Sequence, residues 1–213
     1  MSRSIAVLGL GKFGRSLAEG LYSLGMDLMV VDEDPEIIRE FASKSSVAVC
    51  ANLENEEEIQ ALDLKNMDMV VVCMGTSLAP SIMCVVEAKN QGVPFVMAKS
   101  LSPQMDAILK KVGADQIVNP EAETGMRTAR ALASPTILDL FDVGDNLVMI
   151  EMVPDKKWLG KTLLELNLRQ KRGINVIAVK ESGNTWTYLD AHHPIRENAT
   201  LLVVMEKKHL DQF

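Results

Sequence analysis

The sequence predicts an α/β protein: a doubly wound parallel sheet followed by a small α+β domain. Three observations carry this. Short β-branched or continuously apolar runs alternate with amphipathic stretches over the first two thirds of the chain. A glycine-rich turn separates the first such run from the first amphipathic stretch. After a break at Ser134-Pro135, the last third changes pattern. Strand–helix alternation of this kind builds a parallel sheet with helices on both faces.

In order, Ile5–Leu8, Leu28–Val31, Val47–Cys50, Met69–Cys73, Phe95–Met97 and Gln116–Val118 are the six candidate strands. Several are apolar without interruption, as buried parallel strands are. Phe13, Leu17, Leu21 and Leu24 share one helical face, and Gly25 is placed to stop that helix. Asp34-Pro35 supplies an N-cap and a first-turn proline. The segment from Glu54 to Leu62 begins with carboxylates that suit the positive end of a helix. Helices starting at Ser77 or Ser81, at Ser102-Pro103 and at Glu121 complete the domain, residues 1–134 with the last helix leading out. In residues 135–213 the spacing predicts strands at Asn146–Val153, Ile174–Val179, Thr185–Leu189 and Thr200–Met205. A helix is expected over Gly160–Arg172, closed by Gly173, and a turn over Glu181–Asn184.

The chain has 213 residues, 47% hydrophobic and 24% charged, and a net charge of −7. That balance argues against nucleic acid as the main partner and against direct docking on anionic lipid. The longest apolar run, Met69 to Met74, is far short of the ~20 residues that cross a bilayer, and the N-terminus reads as a first strand, not as a signal peptide. Cys50, Cys73 and Cys84 have no metal or redox spacing and read as buried reduced thiols, which points to the cytoplasm. The 13 methionines are read mainly as core filling, with an adaptable partner surface as the other reading.

Chemistry enters at Gly9-Leu10-Gly11-Lys12-Phe13-Gly14, a G-x-G-x-x-G directly after a strand and before a helix. Gly9 permits the tight turn, Gly11 lets a pyrophosphate approach the backbone, and Gly14 lets helix and strand pack closely. Asp32 closes the second strand 23 residues after Gly9. A carboxylate there can accept from both hydroxyls of an adenosine ribose and repels a 2′-phosphate. Adenine-nucleotide binding on a Rossmann sheet follows. Catalysis finds less support: His192, His193 and His209 all lie near the C-terminus, no Ser-His-Asp or Cys-His pairing suggests itself, and about 80 residues after Ala133 are few for a substrate domain. A binding module is expected, not an enzyme.

Several stretches carry a resemblance: Gly9–Gly14, Val31-Asp32, Met74-Gly75, Lys99, Gly113–Glu121, and Leu163–Val179 with its Leu-x-Glu-Leu-Asn-Leu-Arg-x-x-x-Gly-Ile-Asn-Val-Ile-Ala-Val pattern. Together they resemble the RCK (regulator of potassium conductance) family, and within it the cytosolic Ktr- and Trk-type subunits. The resemblance implies homodimers assembling into a ring, an octamer, that gates a separate membrane potassium-translocating subunit at the inner face of the cell membrane, with no membrane insertion of its own. ATP and ADP would hold different ring shapes. It further implies contacts to the nucleotide from Gly9, Gly11, Lys12, Phe13, Gly14, Asp32, Asn52, Gly75, Lys99 and Glu121. Relatives carry arginine where Lys12 stands; lysine keeps the charge but not the bidentate geometry. Relatives also carry an acidic residue and a threonine near the adenine edge, where this chain has Asn52 and Leu53. Glu121 matches a glutamate that holds a divalent cation or sodium beside the phosphates; alternatively it is a helix N-terminal carboxylate. Lys99 either meets phosphates or is a solvated lysine. In some relatives the C-terminal domain binds cyclic di-AMP, and the matching positions are Leu164, Leu168, Arg169, Ile174 and Asn175; alternatively these leucines form a core. The other functional reading is an NAD-dependent oxidoreductase or an NAD(H)-sensing regulator, since Asp32 suits the ribose of either ligand.

Overall fold

A computed structural model describes residues 3–74, 77–181 and 185–212. It divides into two compact units, Met1–Ala122 and Glu123–Phe213.

The first unit holds β1 (Ser4–Leu8), α1 (Lys12–Ser23), β2 (Asp27–Asp32), α2 (Pro35–Phe41), β3 (Val47–Cys50), α3 (Glu56–Gln60), β4 (Met69–Val72), α4 (Leu78–Asn90), β5 (Phe95–Lys99), α5 (Pro103–Lys111) and β6 (Gln116–Val118). The strands form one sheet in the order β3-β2-β1-β4-β5-β6, and every pairing is parallel. The alternation predicted from sequence is therefore the architecture observed. Apolar clusters cover both faces: Ala6, Leu8, Val70, Val72 and Leu109 on one, Ile5, Val7, Val30, Phe41 and Val71 on the other. Successive side chains of a strand point to opposite faces, so a strand covered twice must be apolar throughout. Neighbours β2 and β4 flank β1, so the order reverses there, and the crevice for a ligand opens beyond the carboxyl ends at that point.

Helix starts follow local chemistry. Asp34, Asn55 and Ser102 each accept a backbone N–H at the first turn of α2, α3 and α5. α3 is shorter than the predicted Glu54–Leu62, because Asn55 rather than Glu54 caps it.

α6 (Pro120–Ala133) leads out of the first unit. The second unit continues with β7 (Ile137–Val143), β8 (Leu147–Met152), α7 (Leu163–Leu166), α8 (Leu168–Arg172), β9 (Asn175–Lys180), β10 (Trp186–Thr187) and β11 (Thr200–Glu206). Its sheet runs β10-β9-β11-β8-β7, antiparallel at every pairing, over a single core that includes Ile150, Met152, Trp158, Leu201 and Val203.

Two expectations are corrected here, and one strand that the sequence pattern did not predict is present. β7 pairs along β8 although Asp139 and Asp142 interrupt its apolar pattern. The single helix expected over Gly160–Arg172 is two, because Asn167 adopts a left-handed conformation, φ 46°, and closes α7. Thr162 and Glu165 form a capping box that opens α7. Cys50 is exposed, since β3 is an edge strand; Cys73 and Cys84 are buried as expected. Residues 182–184 of the expected turn lie outside the described residues. Met29, Met105, Met152 and Met205 are core residues. No helix among the described residues is long and apolar enough to cross a membrane.

Candidate nucleotide site

The carboxyl ends of the parallel strands bring together most of the residues singled out in the N-terminal domain. Gly9 leaves β1 with φ +91°, a backbone region that side chains rarely adopt, and its N–H donates to the Val31 carbonyl at 2.8 Å. At Gly14 a Cβ would stand 2.0 Å from the Gly9 carbonyl oxygen and 3.3 Å from the Cys73 Cβ. Only glycine lets α1 pass this close. At Gly11, by contrast, a Cβ would meet no protein atom within 4 Å. The turn is thus packed tightly at its first and third glycines and open at its second.

Gly11 is the N-cap of α1 and makes no side-chain cap bond, and the first turn of α1 carries no acidic residue. α3 shows the opposite: Glu56, Glu57 and Glu58 stand in its first turn. The positive end of α1 therefore lacks a protein anion of its own, as a phosphate cradle requires. Lys12, the first residue of α1, is exposed and adds charge there.

Asp32 also has a structural role beside that of a ribose acceptor. Its Oδ2 accepts the Leu10 N–H at 2.5 Å and its Oδ1 accepts the Asp34 N–H at 3.0 Å. One carboxylate thus pins the glycine loop and the turn into α2. Each oxygen keeps acceptor capacity for a ribose hydroxyl.

Lys99, the last residue of β5, is buried, which excludes the solvated reading. Its Nζ donates to Glu121 Oε1 at 2.5 Å and stands 5.8 Å from the centroid of the Phe13 ring. The carboxylate expected to hold a cation is thus paired with a lysine, and that hydrogen bond holds the Glu121 carboxyl below the usual range. No cluster of three metal-ligating side chains occurs among the described residues. Cys73 lies under the loop, where burial pushes its thiol up to about 12, against the opposing charge of Lys99.

Asn52 uses its Oδ1 to accept the Glu54 N–H at 2.8 Å, and its own N–H donates to Glu58 Oε2 at 2.7 Å. Leu53 turns into the core. Gly75 lies outside the described residues. In the second unit the five positions matched to a cyclic di-AMP cleft separate. Leu168 and Ile174 are core residues, whereas Leu164, Arg169 and Asn175 are exposed. Alternate sides of a short helix and a strand divide them.

The shape and charge of the loop fit a nucleotide: a bare backbone bend, a helix whose first turn carries no acidic residue, Lys12 at that turn, Lys99 near Phe13 and a ribose-competent carboxylate. Residues 5–120 match the TrkA-N domain and residues 147–213 the TrkA-C domain. The Ktr system potassium uptake proteins A and C of Bacillus subtilis are 29% and 31% identical, each over the whole of this chain and 96% of its own length. The Ktr system potassium uptake protein A of Vibrio alginolyticus is 34% identical over 84% of this chain and 81% of its own. Among solved structures, the GsuK RCK domain superposes with a TM-score of 0.67 at 19% identity, and the GsuK channel bound to NAD with 0.66 at 20%. Both matches cover 99% of this chain, which spans only 46% and 38% of theirs. With both domain models matched in order along the chain, this protein belongs to the RCK family, in its TrkA-N/TrkA-C form.

Proposed function

We propose that this chain is a nucleotide-sensing regulatory subunit that gates a membrane potassium-translocating subunit through ligand-biased conformational change and carries out no bond chemistry. The single observation that carries the reading is the opposition of Asp32 to the open start of α1 across the Gly9–Gly14 loop. The kinship with Ktr potassium uptake proteins directs it to potassium. In this reading Asp32 accepts from the adenosine ribose, the N–H groups of α1 and the Lys12 ammonium meet the phosphates, and the terminal phosphate distinguishes ATP from ADP. Each nucleotide then shifts a two-state equilibrium by its differential affinity for the two shapes. Residues Met126 and Leu132 of α6 are 57% and 82% exposed, an apolar surface suited to a second copy and so to a homodimer within a ring at the inner face of the membrane.

An NAD(H)-sensing regulator is the second reading. Asp32 favours a ligand with a free ribose 2′-hydroxyl, which NAD shares with ATP and ADP. Titration of the purified chain with ATP, ADP and NADH, with X-ray scattering of each loaded form, separates the two. Different scattering for the ATP and ADP forms, with potassium flux through the reconstituted transporter following the nucleotide, is expected. Tight NADH binding with indifference to ATP would replace the first reading by the second.

A further inference from the structure

Lys99 and Glu121 form an ion pair of unequal members: the lysine side chain is 10% exposed, the glutamate side chain 60%. A buried ammonium without a counter-charge is costly, whereas a carboxylate mostly in water loses little when its partner leaves. Lys99 must therefore stay paired, and Glu121 need not. The Phe13 ring, whose centroid is 5.8 Å from the ammonium, belongs to the first turn of α1, the helix start on which a phosphate of the nucleotide would lie. The ammonium's charge also acts on Cys73 beneath the glycine loop.

We infer that Lys99 exchanges partners: a phosphate on the glycine loop takes the ammonium from Glu121, and the released carboxylate loosens the first turn of α6. This rests on the nucleotide reading above and adds the step by which occupancy leaves the site. Glu121 is the second residue of α6, whose start is otherwise held by Asn119, Oδ1 accepting the Ala122 N–H at 3.2 Å. The rest of α6 belongs to the second unit, so this turn is the covalent route out of the nucleotide domain. The exchange gives Glu121 a sign opposite to that of a cation ligand. A glutamate that competes with phosphate for Lys99 opposes nucleotide binding when no cation is present.

The test uses the full chain, with ATP and ADP as probes in chelator. Glu121→Gln should bind both nucleotides about three- to tenfold more tightly than the wild type. Lys99→Met should bind them more weakly, and adding Glu121→Gln to Lys99→Met should change nothing further. Hydrogen exchange supplies a readout without ligand: the amides of residues 124–127 should exchange faster in Lys99→Met alone, and in the wild type only after nucleotide is added. Glutamine keeps the side-chain length and an acceptor oxygen for the buried Lys99 ammonium, and a melting curve of Glu121→Gln, read beside its binding, shows that the fold is kept. Equal or weaker binding by Glu121→Gln, while the wild type binds normally, overturns the partner exchange and leaves the nucleotide reading standing. A wild-type chain that binds neither ATP nor ADP overturns both.

Discussion

Along β1, β2 and β4 of the first unit, three or four consecutive residues are buried, whereas β8 and β11 of the second bury every other one. The first sheet lies between two apolar clusters and the second over one. The difference teaches where each unit can carry function. A sheet covered on both faces leaves only its strand ends open, and Gly9, Asp32, Asn52 and Lys99 all stand at or just past carboxyl ends. A sheet covered on one face offers a broad outer surface instead, where Lys180 and Glu151 pair at 2.7 Å between strands that both neighbour β11.

The sharpest way to break this contrast is at the loop. Gly14→Ala should lower stability by about 3 kcal/mol and abolish nucleotide binding, since its Cβ would collide with the Gly9 carbonyl. Gly11→Ala should cost under about 1 kcal/mol, the difference between the two residues as N-caps, yet still impair binding. Melting curves and calorimetric titration of the pair check this; equal destabilisation would contradict the packed-and-open arrangement. Next in size, Asp32→Ala should weaken ATP, ADP and NADH alike by about 1.5–3 kcal/mol and also lower the melting temperature, because the Leu10 and Asp34 amides lose their acceptor. Unchanged affinity would move the site elsewhere.

Alanine substitution along two strands tests the difference in coverage. Val70→Ala and Val71→Ala should each cost about 2 kcal/mol, both being buried on opposite faces. Val203→Ala should cost as much, but Val204→Ala under about 1 kcal/mol, since Val204 faces outward. Denaturant midpoints that fail to alternate along β11 would deny the one-faced core.

The smallest effect concerns acid. Burial pushes the Asp115 carboxyl up, but the Lys89 ammonium and the Val96 N–H, each at 2.6 Å, outweigh it and hold the group below its ordinary value. A carboxyl depressed in the folded state stabilises fully above its unfolded pKa of about 3.9 and loses that contribution as pH falls through the lower folded value. The melting-temperature gap between wild type and Asp115→Asn should therefore narrow below about pH 4. A gap independent of pH would show that the carboxylate charge has no part in it.

Legibility follows the same division. The six parallel strands could be read because each is a short apolar run bounded by turn chemistry, and the glycine loop because its spacing is strictly local. β7 escaped because Asp139 and Asp142 break its pattern; pairing along β8 decides it. The break at Asn167 escaped because the leucines around it keep helical spacing on both sides. A left-handed asparagine followed by a second helix start is the signal that could have found it.

By itself the chain determined its alternation, its phosphate loop and the carboxylate at the end of β2, because periodicity and turn preference act between near neighbours. Tertiary structure alone decided that Asp32 braces the loop, that Lys99 is buried against a carboxylate 22 residues away, and that Leu168 and Ile174 face the core while Arg169 faces water. Burial and ion pairing depend on which distant segments meet, and that is set by the packing of whole sheets.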